Sequence, residues 1–256
     1  MKTTFTILGC GSSLGVPRAD GYWGKCSKKN IKNFRTRCSA LITRGKNNIL
    51  IDTSPDLRQQ LLKNKINNIS SVVYTHMHGD QTHGINDLRT FSIKNKKKVN
   101  IYGNKETLFH LKKSFNYCFF GTREYPSILK SNLVKKNLVL GQGVEKIKIK
   151  SIVVKHGTIS CIAYIVNKLA YISDCNFLSK SNLKDLRGLK FLVIDCLRLN
   201  PHPSHFNLHS VLEAVEIIKP YKIILTNLHT DLDYSFLIKN TPKNMIPAYD
   251  GLKIKI

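Results

Sequence analysis

Acidic residues are scarce in this chain. Among its 256 residues, Asp plus Glu number 16 against 41 Lys plus Arg, a formal charge of +25. A field this positive attracts phosphates, which suits RNA or a phosphorylated metabolite as partner. Lys, Asn and Ile are abundant throughout, however, and segments such as "SIKNKKKVN" and "LVKKNLVL" read as solvated stretches rather than a shaped patch. Long apolar runs are missing too. None approaches the roughly 18 residues that cross a bilayer, and "MKTTFTILGCG" has neither the long apolar region nor the small-residue cleavage site of a signal peptide. The expectation is therefore a cytoplasmic protein with no membrane partner. No CxxC occurs, and the seven cysteines are odd in number. This argues against a disulfide framework and against a self-contained cysteine zinc knuckle, and leaves buried, inert thiols. No low-complexity linker or shift in composition divides the chain, so residues 1–256 are read as a single domain.

What is present is an alternation of short apolar strands with amphipathic stretches. With 42% hydrophobic and 9% aromatic residues the chain is globular. "TTFTILG", the hairpin "SALIT" and "NILID" around "RGKN", "SSVVYT" and "KVNIYG" read as strands in the first half. "EKIKIKSIVV", "CIAYIV", "LAYISD", "FLVIDC", "KIILTN" and "GLKIKI" follow in the second. Helices are expected at "SPDLRQQLLKN", with Ser54 as N-cap and Pro55 in the first turn, and at "GINDLRTFS", "KETLFHLKKSF", "LKDLRG" and "LHSVLEAVEIIK". From Asn116 to Leu138 the pattern weakens into an irregular, aromatic-rich stretch. The class is α/β, sheets covered by helices. "VVYTHMHGD" (Val72 to Asp80) and "IILTNLHTD" (Ile223 to Asp231) form an internal echo, two similar strand ends that would face one site.

The first of these stretches carries the chemistry. "YTHMHGDQTHGINDLR" places His76, His78, Asp80 and His83 within eight residues, immediately after a strand. A separation of two does not stack His76 and His78 on a helix, which needs four. It suits a turn that aims both rings at one point. Imidazole with carboxylate suits Zn, Mn or Fe.

With these residues in view, the sequence resembles the metallo-β-lactamase superfamily over nearly its whole length. "THMHGD" is similar to the HxHxDH signature, "GCGSSLGVPR" to the first strand and glycine turn, and "NILIDTSPDL" to the strand ending in an aspartate. The resemblance implies a four-layer αβ/βα sandwich, with Asp52 supporting the ligands. It implies His156 of "VVKHG" as the third histidine of a first metal site and Asp174 of "YISDC" as a carboxylate bridging two metals. Within the superfamily the chain is most similar to PhnP-type cyclic phosphodiesterases, through "NFRTRCSALI", "VIDC" and "PSHFNLHSVL". The last stretch implies His205 as general acid.

Two departures fall on the second metal site. Gln81 stands where the family's next histidine is usual, and Asn227 where the last one is. A histidine lies two residues beyond each, so the expectation is two divalent ions, Zn or Mn, the second held by Asp80, His83, Asp174 and His229, with the Gln81 and Asn227 amide oxygens as other donors; the alternative is a single ion on His76, His78, His156 and Asp174. The CxCxxC zinc cluster of some PhnP-type enzymes is absent, with Cys26 alone remaining, and no structural zinc is expected. The metals would ionise water and clamp phosphate oxygens, with Asp80 and Asp174 as catalytic carboxylates and His205 protonating the leaving oxygen. Ser13 in the glycine turn, with Arg35 and Arg37, would hold the substrate phosphate. The implied function is a phosphodiesterase acting on a small cyclic or nucleotide-like phosphate, in an enzyme whose relatives often dimerise. Two rivals stay open: a tRNase Z-type endonuclease, favoured by the basic charge but against which stands the lack of a PxKxRN-like segment, and an RNA-binding protein with a degenerate metal site, for which Gln81 and Asn227 speak.

Overall fold

The alternation of side chains along each strand decides how the layers stack. The structure, a computed structural model, describes residues 1–256. In strand β1 (Thr3–Gly9), Phe5 and Ile7 enter one buried cluster while Leu8 enters another. In β2 (Ser39–Arg44), Ala40 and Ile42 side with Phe5 and Leu41 with Leu8. In β3 (Asn47–Ile51), Ile49 and Ile51 face Leu50 in the same way. A sheet whose two faces are both apolar must be covered on both.

The first sheet continues through β4 (Ser71–Val73), β5 (Val99–Gly103) and β6 (Leu129–Leu133), and β14 (Leu252–Lys255) closes its other edge beside β1. The second sheet holds β7 (Asn137–Leu140), β8 (Ile147–His156), β9 (Ile159–Val166), β10 (Leu169–Ile172), β11 (Phe191–Asp195), β12 (Lys222–Thr226) and β13 (Met245–Pro247), in that spatial order. Each sheet is antiparallel in one half and parallel in the other. The cluster containing Phe5, Ile7, Tyr164 and Tyr171 fills the space between the sheets.

Helices α1 (Leu57–Lys63), α3 (Arg89–Asn95), α4 (Lys105–Ser114) and the single turn α5 (Asn116–Phe119) cover the outer face of the first sheet through Leu57, Phe91, Leu108 and Phe119. Helices α6 (Lys180–Asp185), α7 (Leu208–Ile218) and α8 (Tyr234–Asn240) cover the second through Leu186, Val211 and Leu237. The four-layer αβ/βα order expected from the sequence is therefore the one observed. A further turn, α2 (Gly79–Thr82), sits at the rim.

Several local readings need correcting. The first long helix begins at Leu57 after Asp56, not at Pro55, although the buried Ser54 hydroxyl does accept from the Asp56 amide at 3.2 Å while donating to Gln60 Oε1. The 116–138 stretch is more ordered than its pattern suggests, containing α5 and β6. The internal echo is not a structural repeat: counted from the antiparallel edge, β4 is fifth in its sheet and β12 sixth in the other. The lysine run is solvated as expected, with Lys96, Lys97 and Lys98 exposed. All seven cysteines are buried and unpaired. No helix is long and apolar enough to cross a membrane.

Candidate metal centre

Ligands in open α/β sheets gather beyond the carboxyl ends of parallel strands, and here four such ends, of β4, β10, β11 and β12, meet the end of the antiparallel β8 at one rim. The loop after β4 delivers His76 and His78, the end of β8 delivers His156, and the loops after β10 and β12 deliver Asp174 and Asn227. Asp195 closes β11, and His205 precedes α7.

The three histidines converge. His76 Nε2 lies 3.0 Å from His78 Nδ1, and His156 Nε2 lies 3.2 Å from the same atom. Tetrahedral nitrogens bonded at about 2.0–2.1 Å to a zinc-like ion stand roughly 3.3 Å apart. The remaining ring nitrogens fix which atoms carry lone pairs. Thr75 donates its hydroxyl to Asp52 Oδ2 at 2.8 Å, so at 3.0 Å it accepts from His76 Nδ1. His156 Nδ1 donates to the Ser204 carbonyl at 2.7 Å. Lone pairs on both Nε2 atoms therefore point at His78 Nδ1. An ion among them would take a lone pair from each of the three nitrogens at separations close to those of a tetrahedral site, so the residues present fit a divalent ion. Burial works in the same direction by keeping the rings neutral: it lowers His76 to a pKa of about 3, and lowers His78 and His156 as well.

Asp52 takes the supporting place expected of it. It lies at the end of β3 with φ of 61°, a left-handed conformation that Asp tolerates, and also accepts from the Thr75 amide at 2.8 Å. Fully buried, its carboxylate orients His76 through one hydroxyl. Thr75→Val, which keeps the shape and removes the relay, is expected to weaken metal affinity about 10–100-fold in chelator competition. An unchanged affinity would remove Thr75 from the orienting chain.

Beside the triad lies a carboxylate-rich half. One ligand atom each from His156, Asp174 and His205 fall within 4.8 Å of one another. His205 Nδ1 contacts Asp195 Oδ2 at 2.8 Å and lies 3.8 Å from Asp174 Oδ1. Burial disfavours the His205 charge, but the hydrogen bond and charge of Asp195, then Asp174, outweigh it and raise the imidazole pKa. Burial lifts Asp195 to about 7. Burial, then the charge of Asp174, lifts Asp80 to about 6.

All of these groups but Asp195 line a cavity of about 350 Å³ with two hydrophobic residues among fourteen, which suits a polar ligand. Ser13, His78, Asp80, His156, Asp174, His205 and His229 all reach it. Arg198 also lines it, with no motif in the sequence to announce it. Four expectations fail. His83 is exposed and packs against Phe115, its ring folded over Gly79, where an added Cβ would lie 2.8 Å from His83 Cε1. His229 stops at the cavity wall with Nδ1 on Asp231 at 3.0 Å, outside the converging groups. Arg35 is 1% exposed and donates to the carbonyls of His229 and Leu232 and to Asn33 Oδ1, so it fastens the loop after β12 instead of clamping phosphate. Arg37 pairs with Asp56 at 3.0 Å and does not line the cavity. Arg35→Met is expected to cost about 2–4 kcal/mol in denaturant unfolding, because buried carbonyls lose a charged donor. A loss under 1 kcal/mol would contradict that role.

An αβ/βα sandwich with a histidine triad and an aspartate at its strand ends defines a metal-binding hydrolase of the metallo-β-lactamase fold. The family model for the beta-lactamase superfamily domain matches residues 47–227, and the chain belongs to that superfamily. Among solved structures, a diphosphatase from the PhnP family is similar with 30% identity and a TM-score of 0.91, covering 100% of this chain and 98% of that one. Zn(2+)-bound PqqB from Methylobacterium extorquens matches with 16% identity and a TM-score of 0.80 over 99% of this chain and 100% of that one. An octanoyltransferase of Porphyromonas gingivalis is 28% identical over 252 residues, which are 96% of this chain and 50% of that protein. The chain thus spans about half the length of the curated relative it matches.

Proposed function

We propose that the chain hydrolyses a small phosphodiester, cyclic or nucleotide-like, with a metal ion held by His76, His78, His156 and Asp174. The observation that carries the reading is the pairing of two unlike halves at one polar cavity: a histidine triad that burial holds neutral beside a His205 whose Nδ1 rests on Asp195 at 2.8 Å. When bound, the ion supplies Lewis acidity and a water that ionises near pH 7. The protein supplies the rest. Asp195 holds the proton on His205 Nδ1 and orients the ring, leaving Nε2 to protonate the departing oxygen. Asp80, its pKa raised to about 6, can accept a proton from the attacking water at neutral pH. Arg198 and Ser13 line the same cavity and would meet phosphate oxygens. The similarity to a PhnP-family diphosphatase supports phosphate chemistry.

The test is a substrate panel on metal-loaded protein: bis-p-nitrophenyl phosphate, a five-membered cyclic ribose phosphate, a dinucleoside diphosphate and a precursor tRNA. The expected result is turnover of the small diesters with the cyclic phosphate preferred, and none of the tRNA. Cleavage of the tRNA alone would replace the proposal by the endonuclease reading, and hydrolysis of the diphosphate alone would move the reaction from ester to anhydride.

A further inference from the structure

Two buried amides occupy the far side of Asp174. Gln81 is fully buried, and its Nε2 lies 3.3 Å from both Asp80 Oδ2 and Asp174 Oδ2. Asn227 is 1% exposed, and its Nδ2 lies 3.2 Å from Asp174 Oδ1 and 3.1 Å from Asp195 Oδ1. The three carboxylates beyond the triad are thus all fastened by neutral N–H donors. Gln81 Oε1 is meanwhile buried without a partner. Such an orphan costs about 1–3 kcal/mol, yet reversing the amide would set its oxygen against two carboxylates. A cation among those acids, or a proton on one of them, would favour the reversed form. His83 and His229, the nitrogen donors expected for a second ion, lie outside the converging groups, and His205, which does converge with His156 and Asp174, has its Nδ1 on Asp195 Oδ2 at 2.8 Å.

We propose that this chain holds one resident divalent ion, at the triad with Asp174, and that Gln81 and Asn227 make it a one-ion centre by occupying the carboxylates a second ion would need. This deepens the metal-centred reading above and rests on its ion site, though not on any substrate. One consequence is that phosphate charge beyond the reach of a single ion falls to protein groups lining the cavity, Arg198 and His205.

The experiment is a count of ions, independent of turnover. Wild-type protein and the double variant Gln81→His, Asn227→His are loaded with zinc, desalted and measured by elemental analysis and native mass spectrometry. Cobalt(II) titration of the visible absorption gives a second count. The wild type is expected to bind one ion per chain and saturate at one equivalent of cobalt. The double variant is expected to bind two, histidine being among the residues that tolerate the φ of 61° found at position 227. Two tightly held ions in the wild type would overturn the proposal, as would a folded double variant that still binds one. If the double variant does not fold, the wild-type count decides alone. A wild type that takes up no ion would overturn the ion site itself, whereas one ion without turnover of any diester would leave this inference standing and remove only the substrate reading.

Discussion

Replacing His76 or His156 by alanine is expected to abolish tight metal binding and lower kcat/KM by about 10³-fold or more. An ion's Lewis acidity is worth several kcal/mol at the transition state, and each 1.36 kcal/mol is tenfold. Both residues are nearly fully buried with one ring nitrogen already committed, His76 to Thr75 and His156 to the Ser204 carbonyl. Neither ring can be replaced by water held with the same geometry. If the substrate is the proposed phosphodiester, the loss should be shared by every diester, because the ion would act on the phosphorus centre and not on the leaving group. Elemental analysis beside steady-state kinetics checks it. A variant that loses the ion but keeps wild-type activity would sever the triad from catalysis, and would revive the degenerate-site alternative.

His205→Gln should behave differently. It is expected to retain the ion and lose about 10²–10⁴-fold in kcat on alkoxide leaving groups, the range for a general acid, with little change on p-nitrophenolate, which departs without a proton. The pH dependence follows from the direction of the shift. Asp195 raises the His205 pKa above the ordinary 6.5, so the acid form persists beyond that pH, and kcat should fall as pH rises through the raised value. Asp195→Asn removes the partner, lowers that pKa and should move the alkaline limb to lower pH. A His205→Gln protein that loses its ion, or one equally slow on both leaving groups, would make His205 a metal ligand instead.

The site was legible in the sequence where chemistry is local. His76 and His78 announce themselves by type and spacing, and the family resemblance pointed to His156, Asp174, His205 and Asp52. The errors arose where direction matters more than distance along the chain. His83 looks like a fourth ligand in "THMHGDQTH", but α2 runs only from Gly79 to Thr82, and the ring folds back over the bare Gly79 and packs against Phe115. Arg35 looks like a phosphate clamp until Leu232 and His229, nearly two hundred residues later, are seen to supply carbonyls to it. Thr75 and Arg198 had no signal, since one acts only as the link between Asp52 and His76 and the other only through a cavity built by six segments. Layer order was easier, because alternation of Phe5, Ile7 and Leu8 and its repeats assigns each residue to a face regardless of the partner.

The central claim is that three imidazoles and Asp174 form one coordination sphere. Anomalous diffraction at the zinc edge, on zinc-loaded crystals, measures it directly. The expected result is a peak within about 2.0–2.2 Å of His76 Nε2, His78 Nδ1 and His156 Nε2, with an Asp174 oxygen beside it. A peak elsewhere in the molecule, with the triad nitrogens at their present separations and nothing between them, would contradict it.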